Sequence, residues 1–401
     1  MPFLIPSSCI YLDHASTTPV DPDVAAVMAP YLGPIFGNPS NIHQPGQDAR
    51  AALERVRASV ARVFGCQTGE VLFTGGATES DNLALIGVAW AHRLAGMNDP
   101  MPHIVTTAIE HHAVLNAADW LERQGFAVTR VACDREGMVD AAAIEAAMRP
   151  ETRLVSVMLA NNEVGAIQPI REIAAVARAH GVTIHVDATQ AVGLASIRVD
   201  DLGVDLMSIS AHKFCGPKGV GALYVRRGTM IARQQHGGGQ EGGRRGGTEN
   251  VAGIVGMAAA IERAEQTRDA YVAHCSALSR ALLDEIRAEI PDVELYGPAE
   301  GTTRLPNNLN LGFRGVQGET VLLSLDMQGI AASSGSACTT GNAEPSHVLL
   351  AMGLTPDQAR SSLRLTVGRC NTPSQIPDIV DALTDTIARV RELSAVRQDR
   401  R

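Results

Sequence analysis

The chain has 401 residues, 45% hydrophobic and 19% charged, enough for a sizeable core and two or three domain-sized units. A net charge of −9 and a pI near 5.7 disfavour a protein whose main work is gripping nucleic acid, and direct nucleic-acid binding is not expected. Seven scattered cysteines, none in a C-x-x-C pair, argue against a zinc or iron–sulfur framework and for a reducing compartment.

In chain order, MPFLIPSSCIYLDH lacks a basic n-region and a long h-region. No apolar run approaches the roughly 18 residues of a membrane span, so a soluble cytoplasmic protein without a membrane partner is expected. ARAALERVRASVARVF sets Leu53, Val56, Val60 and Val63 at helical spacing. EVLF reads as a short buried strand and SDNLALIGVAWAHRL as the next helix. HIVTTA, FAVTRVA, RLVSVMLA, VTIHVDA, DLMSIS and GALYVRR are further strands, with helices such as REIAAVARAHG, stopping at Gly181, between several of them. Strands alternating with helices predict an α/β fold with a mostly parallel sheet covered on both faces. After GGTENVAG the texture changes. One long helical stretch runs through GIVGMAAAIERAEQTRDAYVAHCSALSRALLDEIRAE, followed by a strand (NNLNLGF), a helix (GETVLLSLDMQ) and a final helix to about Val396. A second, smaller α+β unit is expected beyond about residue 260.

The chemistry centres on IHVDATQ and SISAHKF. Each strand ends at one sheet edge, delivering Asp187 and, 26 residues later, Lys213. A lysine for a Schiff base and an acid beside a pyridine nitrogen suit pyridoxal phosphate (PLP). An isolated Asp and Lys would more often be a structural ion pair. FTGGATESDN, however, runs from a strand through two glycines into a helix, aiming free N–H groups at one spot, with the hydroxyl of Thr78 beside them. Ser210 and His212 lie just before the lysine. HGGGQEGGRRGGTEN, carrying Arg244, Arg245 and Thr248, is either a flexible surface loop or an anion-binding loop. In EHHAV, His111 could stack on a flat ring and shuttle protons, while His112 reads as structural and no metal site is expected. SSGSACTTG sets Cys338 among small residues with no apolar face to bury, a segment built to move.

With YLDHASTTPVDP, FGNPSNIH, NNEVG, SAHKFCGPKGVGALYVRR, LPNNLNL, SSGSACTTGNAEPSHVL and SSLRLTVGR, these motifs resemble, nearly end to end, the cysteine desulfurases of the IscS/NifS kind. Those are PLP enzymes of the class V aminotransferase group. The resemblance implies PLP fold type I, usually a homodimer. The large PLP-binding domain would span 17–262, and the small one 1–16 and 263–401 with a catalytic cysteine loop at about 331–345. It implies Lys213 as the Schiff-base lysine, Asp187 on the pyridine nitrogen and His111 over the ring. Asn162 and Gln190 would lie near its phenolic oxygen. Ala77, Thr78, Ser210 and His212 would hold the phosphate, with Thr248 reaching it from the neighbouring subunit. Arg364 would clamp the substrate carboxylate, assisted by Asn38. L-cysteine would become L-alanine, its sulfur passing to Cys338 as a persulfide for an acceptor protein, either an iron–sulfur scaffold or a thiolation enzyme (for tRNA or DNA sulfur modification).

Three positions depart from the family pattern. Ser16 replaces a usual alanine, with little consequence expected. Gly242 stands where a larger residue, often Arg, is common, and could loosen its loop. Cys215 reads as a packed small residue or a second reactive thiol. The tail that docks the scaffold in many relatives is not expected here. A selenocysteine lyase, another PLP carbon–sulfur lyase or aminotransferase, and a non-catalytic scaffold remain alternatives.

Overall fold

The computed structural model describes residues 9–97, 99–299, 301, 303–334 and 344–398, the last five as backbone only. The first half opens with strand β1 (Ile10–Tyr11), helix α1 (Pro22–Met28) and α2 (Gln44–Phe64), which ends on a left-handed glycine, Gly65. Then come β2 (Val71–Thr74), α3 (Ala77–Ala95), β3 (His103–Thr107), α4 (His112–Arg123), β4 (Ala127–Val131) and α5 (Ala141–Ala147). β5 (Thr152–Met158), α6 (Ile170–Ala179), β6 (Thr183–Asp187), α7 (Val199–Leu202), β7 (Leu206–Ser210) and β8 (Gly221–Val225) follow. The second half contains α8 (Val251–Gln266), α9 (Arg268–Glu289), β9 (Val293–Tyr296), β10 (Asn308–Phe313), α10 (Gly318–Asp326) and β11 (Ile330–Ala331). It closes with α11 (His347–Ala351), α12 (Pro356–Arg360), β12 (Ser362–Thr366) and α13 (Ile376–Gln398).

Seven strands form one sheet in the order β2-β8-β7-β6-β5-β3-β4. All neighbours are parallel except at β8, which runs against both β7 and β2. The inner strands are buried on both faces, as their β-branched runs predict. One face packs under α3 and α4 through Leu85, Val88, Val114 and Leu121. The other packs against α2, α6 and α8 through Phe64, Ile173, Ile254 and Ile261. A second sheet, β12-β10-β9, is antiparallel and shares a separate core with α9, α10 and α13. β1 and β11 form a two-residue parallel pair that no sequence period could reveal.

The α/β architecture agrees with the sequence. One expected element does not: the long helix after Gly253 is two helices, parted at Thr267. There the backbone leaves helical geometry (φ −107°, ψ 8°), while the hydroxyl donates to the Arg263 carbonyl (2.8 Å) and accepts from Arg369 (2.7 Å).

The glycine-rich loop is tethered more firmly than its composition suggests. Glu241, Gly242 and Gly243 take φ of 47°, 64° and 77°, so Gly242 sits where a larger L-residue would be strained. The Glu241 carboxylate is buried. It accepts both terminal nitrogens of Arg57 (2.7 and 2.8 Å) and the Phe73 N–H (3.0 Å), while Arg57 lies over the Phe73 ring. Arg57→Ala leaves that carboxylate buried without its cation, so urea unfolding of the variant is expected to show a loss of about 3–5 kcal/mol.

Candidate active site

A cleft of about 940 Å³ opens where β2, β5, β6 and β7 end. β7 stops at Ser210, and one tight turn, Ala211–Lys213, swings Lys213 into the cleft. Its Nζ donates to the carbonyls of Ala15 (2.6 Å) and Ser16 (2.7 Å). Burial, reinforced by the Arg364 cation and opposed by Asp13 and Asp187, pulls its pKa down to about 8. Lys213 and Lys218 are the only lysines in the chain, and both line this cleft.

Asp187 ends β6 and accepts the Thr189 N–H at 2.9 Å. Two fully buried acids stand behind it. Burial and the Asp187 charge raise Asp81 well above its ordinary range, and burial pushes Glu110 up to about 8. Both shifts favour the neutral acid. His185, held by Ser156 and Ser208 (2.9 Å each), is pushed down to about 3 by burial and is neutral as well.

From β2 the chain passes through Gly75 and Gly76 into the nineteen-residue α3. No side chain caps this helix, so its first N–H groups face the cleft at Ala77 and Thr78. Gly76 has φ 150°, and a Cβ on Gly221 would stand 2.8 Å from its Cα, so both positions need glycine. Ser210, His212 and Lys218 complete this corner. Burial, with Lys213 and Lys218 nearby, drives His212 down to about 4, and its Nδ1 lies 3.1 Å from the Thr17 hydroxyl. The corner collects helix N–H groups, hydroxyls, a neutral imidazole and a lysine, a donor set suited to a phosphate.

His111 caps α4, its Nδ1 accepting the Ala113 N–H at 3.1 Å, so a proton on the neutral ring resides on Nε2. Desolvation in the cleft wall lowers its pKa, against the pull of Asp187. Gln190 donates to the Ala15 carbonyl (2.9 Å), and Asn162 reaches the cleft from the turn after β5. Arg364 arrives from the second sheet. It donates to the Asn162 carbonyl (2.9 Å), Asp13 Oδ1 (2.8 Å) and Ser16 Oγ (2.8 Å).

The structure thus brings Ala77, Thr78, His111, Asn162, Asp187, Gln190, Ser210, His212, Lys213 and Arg364 to one cleft. It does not bring Asn38 there; that residue is exposed in its own turn, accepting the Ser40 N–H. Thr248 is also exposed and outside this wall. Cys338 lies outside the described residues. Cys215 adopts φ 64°, and burial raises its thiol, which favours the packed-residue reading over a reactive thiolate. Asp13, Ser16, Asp81 and Glu110 were not anticipated. Only Asp13 and Ser16 had a signal, their place in YLDHASTTP.

The class-V aminotransferase family matches residues 10–379. The cysteine desulfurase IscS of Dictyoglomus turgidum is 45% identical over 390 residues, 97% of each chain. Among solved structures, a NifS-like protein superposes with a TM-score of 0.87 at 35% identity, covering 95% of this chain and 99% of its own. SspA in complex with cysteine gives 0.78 at 35% identity, covering 90% and 99%. The chain belongs to the class-V aminotransferases and, within them, to the cysteine desulfurase family.

The position of Lys213 sets a testable pH dependence. Only the neutral amine reacts with an acylating reagent, and the folded site lowers the pKa from 10.5 to about 8. In ligand-free protein, acylation of Lys213, followed by peptide mass spectrometry, is expected to rise with pH with its midpoint near pH 8. After unfolding, the rise should move up toward pH 10.5.

Proposed function

We propose that this chain is a PLP-dependent cysteine desulfurase that converts L-cysteine to L-alanine and carries the sulfur on Cys338. The convergence of a depressed lysine, a carboxylate, an imidazole and an uncapped helix N-terminus on one cleft carries this reading. The donor corner at Ala77, Thr78, Ser210 and His212 fits a phosphate, and Asp187 fits a protonated ring nitrogen. Lys213 would hold PLP covalently, His111 would cover the ring, and Asn162 and Gln190 would border it. When bound, PLP supplies the electron sink for the pair left at Cα.

The chain's own groups supply the rest. Arg364 receives the substrate carboxylate. Lys213, neutral above about pH 8, takes the Cα proton and returns one during alanine formation. His111 can accept a proton from the attacking thiol. The Cys338 thiolate then forms a bond to the substrate sulfur as the carbon–sulfur bond breaks, and the pair stays with the carbon fragment. Protonation of that fragment gives alanine, and the persulfide passes to an iron–sulfur scaffold or a thiolation enzyme.

A homodimer accompanies this reading. Leu32, Phe36 and Ile42 are 76%, 79% and 90% exposed on one short stretch, an apolar surface suited to a second copy whose Thr248 would reach the phosphate. No helix among the described residues is long and apolar enough to cross a membrane, and the cysteines described are free. Both facts suit a cytoplasmic enzyme.

Alanine release from L-cysteine with a reducing thiol, compared between native protein and Cys338→Ala, tests the reading. Alanine from the native protein and none from the variant is the expected result. Equal alanine from both would mean that sulfur leaves directly, as in a lyase, and would remove Cys338 from the mechanism.

A further inference from the structure

Ser16, which replaces a usual alanine, sits on the Arg364 guanidinium. Its hydroxyl accepts from Nη2 at 2.8 Å and donates to Asp13 Oδ1 at 2.8 Å, and the side chain is exposed to the cleft. Asp13 Oδ1 accepts from the same Nη2, also at 2.8 Å. Nη2 carries two protons, and both are engaged. Nη1 spends one of its two on the Asn162 carbonyl, and among the described residues Nε has no partner.

The geometry of a guanidinium turns this into a constraint. A carboxylate grips it in bidentate fashion along one of two edges, Nε with Nη2 or Nη1 with Nη2. Each edge needs an Nη2 proton, so neither offers two free donors here. A carboxylate that grips Arg364 along either edge must displace Asp13 or Ser16. The Asp13 contact is an ion pair around a cation only 4% exposed, and breaking it would strand a buried charge. The Ser16 contact is a bond to a neutral hydroxyl on an exposed rotor, and it is the one that yields.

We propose that Ser16 is a positioning residue that competes with the substrate carboxylate for Arg364. Its hydroxyl holds the guanidinium edge when the cleft is free, and it must be pushed aside when an α-amino acid binds. An alanine there would leave that proton to water, which departs without a tether. The inference rests on the proposed role of Arg364 as carboxylate clamp.

The test uses the cofactor-loaded protein and two probes, L-alanine and ethylamine, the same amine without the carboxylate. Affinity is read from the change each causes in the bound cofactor's absorbance. Ser16→Ala is expected to tighten L-alanine roughly tenfold and to leave ethylamine unchanged, while Ser16→Thr, which keeps the hydroxyl, behaves as the native protein. Unchanged or weaker L-alanine binding in Ser16→Ala overturns the proposal, as does an equal shift for both probes. Arg364→Lys separates the two levels. If it weakens L-alanine but not ethylamine, the clamp stands and the Ser16 result is judged alone. If it affects neither probe, the clamp itself is wrong and the inference falls with it.

Discussion

The cleft is organised around one buried carboxyl group. Asp187 ends a strand covered on both faces, where an ion is costly, and two further carboxyls, Asp81 and Glu110, are buried close behind it. Three ionised acids in that volume would repel one another strongly. Burial favours the neutral form of two of them: Asp81 lies next to the neutral His185, and Glu110 accepts from the Thr107 hydroxyl and the Met158 N–H. Asp187 shares the cleft wall with Lys213 and His111. The polar side chains between α3 and the sheet, Ser156, Ser208 and His185, are the internal solvent for this arrangement, and their hydrogen bonds fix its geometry.

Two cations line this sheet edge, and residues 10–21 help to hold them there. This stretch lies between the two sheets. Leu12 donates to Ala331 and accepts from Thr366, while Thr18 and Asp21 bond to His212 and Cys215 beside the lysine. The same segment supplies the two carbonyls that hold the Lys213 amine and the carboxylate that holds Arg364. Arg364 comes from β12, and the cation meets the cleft because the second sheet is joined to the first, through this strap and through direct bonds such as Asn310 to the Glu163 carbonyl. The Arg364 guanidinium and the Lys213 amine are therefore held by the same short segment.

Much of this was legible in the sequence, and the remainder was hidden for identifiable reasons. The inner strands could be read because parallel strands buried on both faces are continuous apolar runs. Lys213 and Asp187 could be read because they stand at the ends of those runs. The two-residue strands β1 and β11 carry no period, and the break at Thr267 depends on Arg369, 102 residues away. Asp81 sits inside an amphipathic helix, where a lone acid looks like a surface residue. Ser16 could be noticed as a departure but not weighed, because its meaning depends on an arginine 348 positions later. Residues whose role is written in local pattern were found; those whose role is a long-range contact were not.

The glycine-rich loop shows how restraint and composition can diverge. Fifteen residues rich in glycine suggest a chain that moves freely. Yet Glu241 is pinned by Arg57 and the Phe73 N–H, Arg244 reaches the Gly69 carbonyl, and Arg245 pairs with Glu79 on the first turn of α3. These ties hold the loop against the helix that offers its N-terminus to the cleft, while Thr248 remains exposed and outside its own chain's cleft wall. Glycine serves here to permit successive positive φ values, and the charges decide where the loop lies. A loop fixed in this way presents Thr248 outward. The proposed assignment of Thr248 to a phosphate therefore requires the cleft of a second copy.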